Sequence, residues 1–143
     1  MSDATKHLCS DPVTTGARVR YADTDRMGVA YYATYLVWFE IGRAEFMREL
    51  GYTYKRCEED GLILPVIKAE VQYHRPARYD DELRISTWLS DMGRVKVQFY
   101  YEITNGADDT LVASGSTEHA ALAPSGKPIR IPDPVRKILT RGV

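Results

Sequence analysis

A single change of period dominates this 143-residue sequence. Between Tyr32 and Leu50 apolar residues recur at helical spacing, at Tyr32, Tyr35, Leu36, Phe39, Phe46 and Leu50. Beyond a polar connector they alternate with polar residues one by one, and do so for about sixty residues. A chain with one long helix followed only by strands has few ways to bury both kinds of surface. Ile67, Ala69, Val71 and Tyr73 alternate with Lys68, Glu70, Gln72 and His74, and Val95 to Ile103 alternate with Arg94, Lys96, Gln98 and Glu102. Each strand is therefore expected to have one core face. The connectors 76–81, 91–93 and 105–109 suit hairpins and are too short for a helical crossover, so the sheet is antiparallel. A first strand over 17–22 and a short helix over 133–140 complete the order β-α-β-β-β-β-α. The fold class is α+β, with about five antiparallel strands curled around one long central helix.

The other side of that helix carries Tyr31, Val37, Trp38 and Ile41, so its first half is apolar nearly all round and is expected to be largely wrapped. Gly42 costs about 1 kcal/mol in a helix interior, which implies a close approach by a neighbouring backbone there. Residues 1–16 carry no periodic pattern and are expected to form an N-terminal tail, with 17–143 as a single domain.

Several chemistries are excluded by what the sequence lacks. Nineteen Lys and Arg against 20 Asp and Glu give a formal net charge of -1, so no nucleic acid or anionic surface is expected as a partner. The longest apolar stretch, 30–41, contains Thr34 and Glu40 and is too short to insert across a bilayer. Cys9 and Cys57 make neither a disulfide framework nor a metal box, and 1–16 lack a signal-peptide core, which places the chain in the cytoplasm. There is no Gly-x-Ser-x-Gly elbow; of His7, His74 and His119, the last two fall in strand patterns and are read as structural. Ala121 and Pro128 stand where a phosphate loop would need Gly and Ser or Thr. No metal-ligand spacing occurs, so no metal and no cofactor are expected.

What remains is the segment between the first strand and the helix, Asp23-Thr24-Asp25-Arg26-Met27-Gly28-Val29-Ala30-Tyr31-Tyr32. Asp25 or Thr24 can simply accept backbone hydrogen bonds from the turn and offset the positive helix end. Alternatively Gly28 lets backbone amides point at a substrate carbonyl while Asp25 presents a carboxylate beside it. This segment, with Tyr35, Phe39, Glu40 and Arg43 after it, resembles the signature of the 4-hydroxybenzoyl-CoA thioesterase family of hotdog proteins. The resemblance extends through Pro76-Ala77-Arg78-Tyr79-Asp80-Asp81-Glu82-Leu83 and covers the chain from about Ala17 to Leu122.

The resemblance implies a hotdog fold and metal-free hydrolysis of acyl-CoA or aroyl-CoA thioesters. It puts the essential carboxylate on Asp25, as nucleophile or general base, and the oxyanion amides near Tyr31 and Tyr32, with Gly28 and Val29 against the substrate. Arg94 falls on a position that contacts coenzyme A phosphate, with Lys96 two residues on and Arg75 and Arg78 as secondary cations. Coenzyme A enters as part of the substrate. Tyr32 stands where the Tol-Pal-associated branch commonly has histidine, and Tyr31-Tyr32 replaces the Trp-Phe pair of the aroyl-CoA enzyme, so neither preference carries over. Glu40 and Arg43, three apart on the helix, are spaced for an ion pair. Open sheet edges call for a symmetric homodimer with a shared site, and the resemblance implies further association into a dimer of dimers, a homotetramer. Competing readings are action on carrier-protein thioesters, hydration, and acyl-CoA binding without catalysis.

Overall fold

The computed structural model describes residues 11–141. Its elements run β1 (Val13–Arg18), a 3-10 turn (Tyr21–Asp23), α1 (Thr34–Glu49), α2 (Tyr54–Glu59), β2 (Val66–Tyr73), β3 (Glu82–Met92), β4 (Lys96–Asn105), β5 (Leu111–Ala120) and α3 (Asp133–Leu139). The five strands form one antiparallel sheet in the order β1-β3-β4-β5-β2, as the hairpin-length connectors require. The first strand lies earlier than expected: β1 pairs Val13 with Thr87 and ends at Arg18. Val13, Thr15 and Ala17 alternate half-buried with exposed residues, a β-branched run masked in the sequence by Pro12 and Gly16. His7 and Cys9 lie outside the described residues.

Helix α1 turns Tyr35, Trp38, Phe39, Gly42, Arg43, Phe46 and Met47 inward, a stripe of helical period that packs on the concave face of the sheet. Gly42 is explained by side chains, not by a backbone. A Cβ there would collide with Thr87 Oγ1 and approach Ile85 Cγ2 to 2.7 Å. Gly115 on β5 does the same for Phe39, whose ring lies within 2.9 Å of where a Cβ would sit and stacks on Tyr101 at 4.3 Å.

Two expectations of complete cover fail. Leu36, Val37 and Ile41 remain 41%, 50% and 36% exposed, so the chain does not wrap its helix alone. Edge strand β2 is exposed on both faces apart from a half-buried Val71; it alternates in sequence, yet among the described residues only Val71, against the core, and Tyr73, against Tyr35, find packing partners. Tyr100 and Val112, by contrast, are buried.

A chain of hydrogen bonds crosses the core behind α1. Arg43 Nη1 donates to Tyr101 Oη (3.1 Å), Tyr101 and Thr117 hydroxyls meet at 2.6 Å, Thr117 Oγ1 lies 2.8 Å from His119 Nε2, and His119 Nδ1 lies 2.9 Å from the Leu64 carbonyl. A carbonyl can only accept, so Nδ1 carries the proton, Nε2 accepts from Thr117, and Thr117 accepts from Tyr101. His119 is thus neutral and structural, its pKa lowered to about 4 by burial against an opposing effect of the Leu64 bond.

Candidate active site

The segment joining β1 to α1 divides its two carboxylates between two tasks. Asp23 is buried and accepts from the Arg20 backbone N–H (2.8 Å) and from Arg20 Nη2 (2.8 Å). Burial alone would raise its pKa, but the Arg20 bonds outweigh it and hold the carboxyl below its usual range. The Asp23 carbonyl accepts from the Tyr31 N–H at 2.8 Å and from Thr34 Oγ1 at 3.3 Å. Asp23 is thus a structural residue that sequence reasoning did not single out, while the backbone bond expected of the turn is made by Asp25.

Asp25, two residues on, is left comparatively free. One oxygen, Oδ1, accepts the Met27 N–H at 2.8 Å and fixes the turn; Oδ2 makes no hydrogen bond among the described residues. Gly28 closes that turn at φ +80°, its N–H donating to the Asp25 carbonyl at 3.0 Å, a conformation glycine adopts without a Cβ penalty. Val29 then bridges to Arg78, and the Ala30 N–H donates to the Ala77 carbonyl at 2.7 Å. The Pro76–Asp81 connector thereby holds the loop from behind.

Helix α1 begins at Thr34, with no side-chain cap, so Tyr31 and Tyr32 stand just ahead of it. The Tyr31 amide is taken by Asp23. The Tyr31 carbonyl accepts the Thr34 N–H at 2.9 Å, and across a trans peptide this turns the Tyr32 N–H backward, out of the helix start. That N–H has no acceptor among the described residues. Of the two amides expected near the substrate oxygen, only that of Tyr32 is available.

Beside it lies a cleft of about 280 Å³ walled by Val29, Tyr32, Tyr35, Tyr73, His74 and Arg75. Tyr73 Oη donates to the Tyr32 carbonyl at 2.8 Å and its ring meets Tyr35 edge-on at 4.9 Å. His74 Nε2 lies 3.0 Å from Ser114 Oγ. Asp25 is not part of this wall in the single chain. Sequence reasoning placed Val29, Tyr32 and Arg75 here and missed Tyr73 and His74. Their only signal was the register of β2 on β5, which sets Tyr73 opposite Ala113.

Arg94 is not at a strand start: β4 begins at Lys96, and Arg94 lies in the turn, its carbonyl accepting the Ile131 N–H at 2.8 Å. The strand-alternation argument for its orientation therefore lapses. Arg94 and Lys96 nonetheless line one cleft of about 240 Å³, with Asp91, Gln98 and Glu118. That cleft is at the opposite end of the sheet from Tyr73. Tyr73 is level with Ile103 and Lys96 is level with Ala120, seven ladder steps or about 23 Å apart. The expected Glu40–Arg43 ion pair is not formed; Arg43 turns inward to Tyr101.

Cys57, on the buried side of α2 with Sγ 3.3 Å from the Leu62 carbonyl, has its thiol pKa pushed up to about 11, chiefly by burial, which suits packing and not reactivity. Among the described residues no cluster of three or more His, Cys, Asp or Glu could hold a metal, and no helix is long and apolar enough to cross a membrane.

A family model described as the thioesterase-like superfamily matches residues 19–139. The acyl-CoA thioesterase YbgC of Haemophilus influenzae is 33% identical over 122 residues, covering 83% of this chain and 88% of that one. The solved structure of a DHNA-CoA thioesterase from Staphylococcus aureus is 35% identical with a TM-score of 0.79, covering 83% of this chain and 80% of that one. A 4-hydroxybenzoyl CoA thioesterase mutant complexed with 4-hydroxybenzoyl CoA superposes with a TM-score of 0.82 at 19% identity, covering 91% of this chain and 99% of that one, a likeness of fold.

Proposed function

This chain belongs to the thioesterase-like superfamily of hotdog proteins, and from that premise we propose that it hydrolyses acyl-CoA thioesters to free acid and coenzyme A, with the loop between β1 and α1 as its catalytic element. The observation that carries the reading is the separation of roles between two neighbouring carboxylates: Asp23 is locked to Arg20, while Asp25 keeps an unbonded oxygen. In this mechanism the thioester oxygen accepts the Tyr32 N–H, which polarises the carbonyl and steadies the oxyanion. Asp25 then either attacks the carbonyl carbon, expelling the coenzyme A thiolate and leaving an anhydride that water hydrolyses to the free acid, or takes a proton from a water that attacks the carbonyl carbon as the thiolate leaves. Val29, Gly28 and the tyrosines of the cleft exclude water from the acyl side.

Asp25 and the cationic cleft at Arg94 and Lys96 stand far apart in one chain, and β2 is an uncovered edge. A homodimer resolves both. Antiparallel pairing of β2 with its copy brings the far end of one sheet beside the near end of the other, so that a second copy's Arg94 and Lys96 come toward the coenzyme A end of the cleft, with Arg75 nearer the thioester. The same pairing covers the exposed Leu36, Val37 and Ile41 face, and dimers associate further into a tetramer. The net charge and chain composition agree with a cytoplasmic enzyme working without metal or cofactor.

The test is turnover across acyl-CoA and aroyl-CoA esters without added metal, together with Asp25→Asn. The variant should lose about 10²-fold or more in kcat with unchanged circular dichroism. Near-normal turnover by folded Asp25→Asn would refute the assignment.

A further inference from the structure

Arg43 is a buried cation without a counter-ion. It is only 9% exposed, and a guanidinium taken out of water needs acceptors for its five N–H donors. One donor reaches Tyr101 Oη at 3.1 Å, the plane lies over the Tyr54 ring at 5.6 Å, and Nε is buried with no partner. No carboxylate among the described residues forms an ion pair with it.

The Arg43 side chain lines a cavity of about 280 Å³ between α1 and β2. Leu36, Val37, Val66 and Ala69 make its apolar walls, Arg43 and Thr117 are its buried polar residues, and exposed Glu40 stands at its edge. The cavity follows the same helix as the thioester cleft. Arg43 is eleven residues beyond Tyr32, about 16 Å along the axis, and helical side chains lean back toward the N-terminus, so an extended acyl chain of about eight to twelve carbons would span the gap.

We propose that this cavity takes the far end of the substrate's acyl chain, and that Arg43 and Glu40 together select a chain bearing a hydroxyl group there. The inference rests on the thioesterase reading above and names its substrate class. A hydroxyl accepts from the edge of the Arg43 guanidinium that lines the cavity and donates to the Glu40 carboxylate, satisfying both. A plain methyl end leaves the buried Arg43 donor unpaired. A terminal carboxylate satisfies Arg43 but meets the like charge of Glu40.

The experiment compares kcat/KM for matched unsubstituted, ω-hydroxy and ω-carboxy acyl-CoA esters of about six to fourteen carbons. At the best length the ω-hydroxy ester should exceed the unsubstituted one by about 10- to 100-fold. Arg43→Met should bring that ratio to about one, and surface Glu40→Gln should raise ω-carboxy esters relative to ω-hydroxy esters. Wild-type enzyme that prefers the unsubstituted ester at every length overturns the inference while leaving the thioesterase reading intact; absence of turnover on every ester overturns that reading itself. Should Arg43→Met lose its circular dichroism, Glu40→Gln decides: an unchanged carboxy-to-hydroxy ratio overturns the proposal.

Discussion

Acidification should destabilise this protein through His119 in a window that can be worked out from its surroundings. The ring is fully buried, bonded at both nitrogens in its neutral form, and packed edge-on to Phe99 at 5.5 Å. Its pKa is lowered from 6.5 to about 4, with burial the main cause and the nearby Arg43 charge adding to it. A histidine depressed in the folded state stays neutral while the unfolded chain takes up a proton. Above pH 6.5 neither state is charged and nothing is lost; as pH falls from about 6.5 toward 4, the unfolded state binds the extra proton and stability drops. Between pH 7 and pH 5 the loss from this one residue is about 2 kcal/mol. Urea unfolding at several pH values measures it, with His119→Gln as the reference that retains a donor and an acceptor but cannot titrate. Carboxylate effects are common to both proteins and cancel in the difference. If the two stability profiles run parallel between pH 7 and pH 5, or if NMR titration shows the His119 ring protonating above pH 6, the argument is wrong.

Three further outcomes follow from the geometry. Gly115→Ala drives a methyl group into Phe39 and the Glu70 carbonyl, neither of which can swing away, so it should cost about 3 kcal/mol or more, seen as a shifted urea midpoint. Arg94→Ala should raise KM for coenzyme A esters far more than for the matching pantetheine esters, with the difference shrinking as salt rises; equal losses on both would show that Arg94 does not meet the nucleotide. Activity and sedimentation should fall together on serial dilution, because the shared site needs both copies; a stable, active monomer at nanomolar concentration rejects the shared site.

The fold was legible because its two periods do not overlap. The switch after Gly61 separates one helix from the strands, and the short connectors left only an antiparallel sheet. Strand faces were less legible where the strand lies at an edge. The alternation of β2 is as regular as that of β4, yet β4 is central and largely buried while β2 is an edge strand exposed along most of its length, a difference set by neighbours that alternation does not encode. The same limit applied to the helix: Leu36 and Arg43 have opposite hydropathies, and the apolar one faces out while the cation faces in toward Tyr101. In the site, Asp25, Gly28 and Val29 could be singled out because they crowd into one short segment. Tyr73 and His74 could not, since they reach the cleft only through the register of β2 against β5. Nor does the order of residues reveal that the Tyr31 amide is already committed to the Asp23 carbonyl.

The charges on β2 carry an instruction of their own. Lys68 and Glu70 point the same way, 3.6 Å apart, on either side of Ala69. When two such strands meet head to tail about a two-fold axis through Ala69, each Lys68 falls opposite a Glu70 of the second copy. Sliding by two residues in one direction sets lysine against lysine, and in the other glutamate against glutamate, both unfavourable directly across a sheet. Sliding by one turns Ile67 and Val71 to the wrong side. In the proposed homodimer the charges of this edge strand would thus act as a key, admitting a copy of itself in one position and disfavouring misaligned ones.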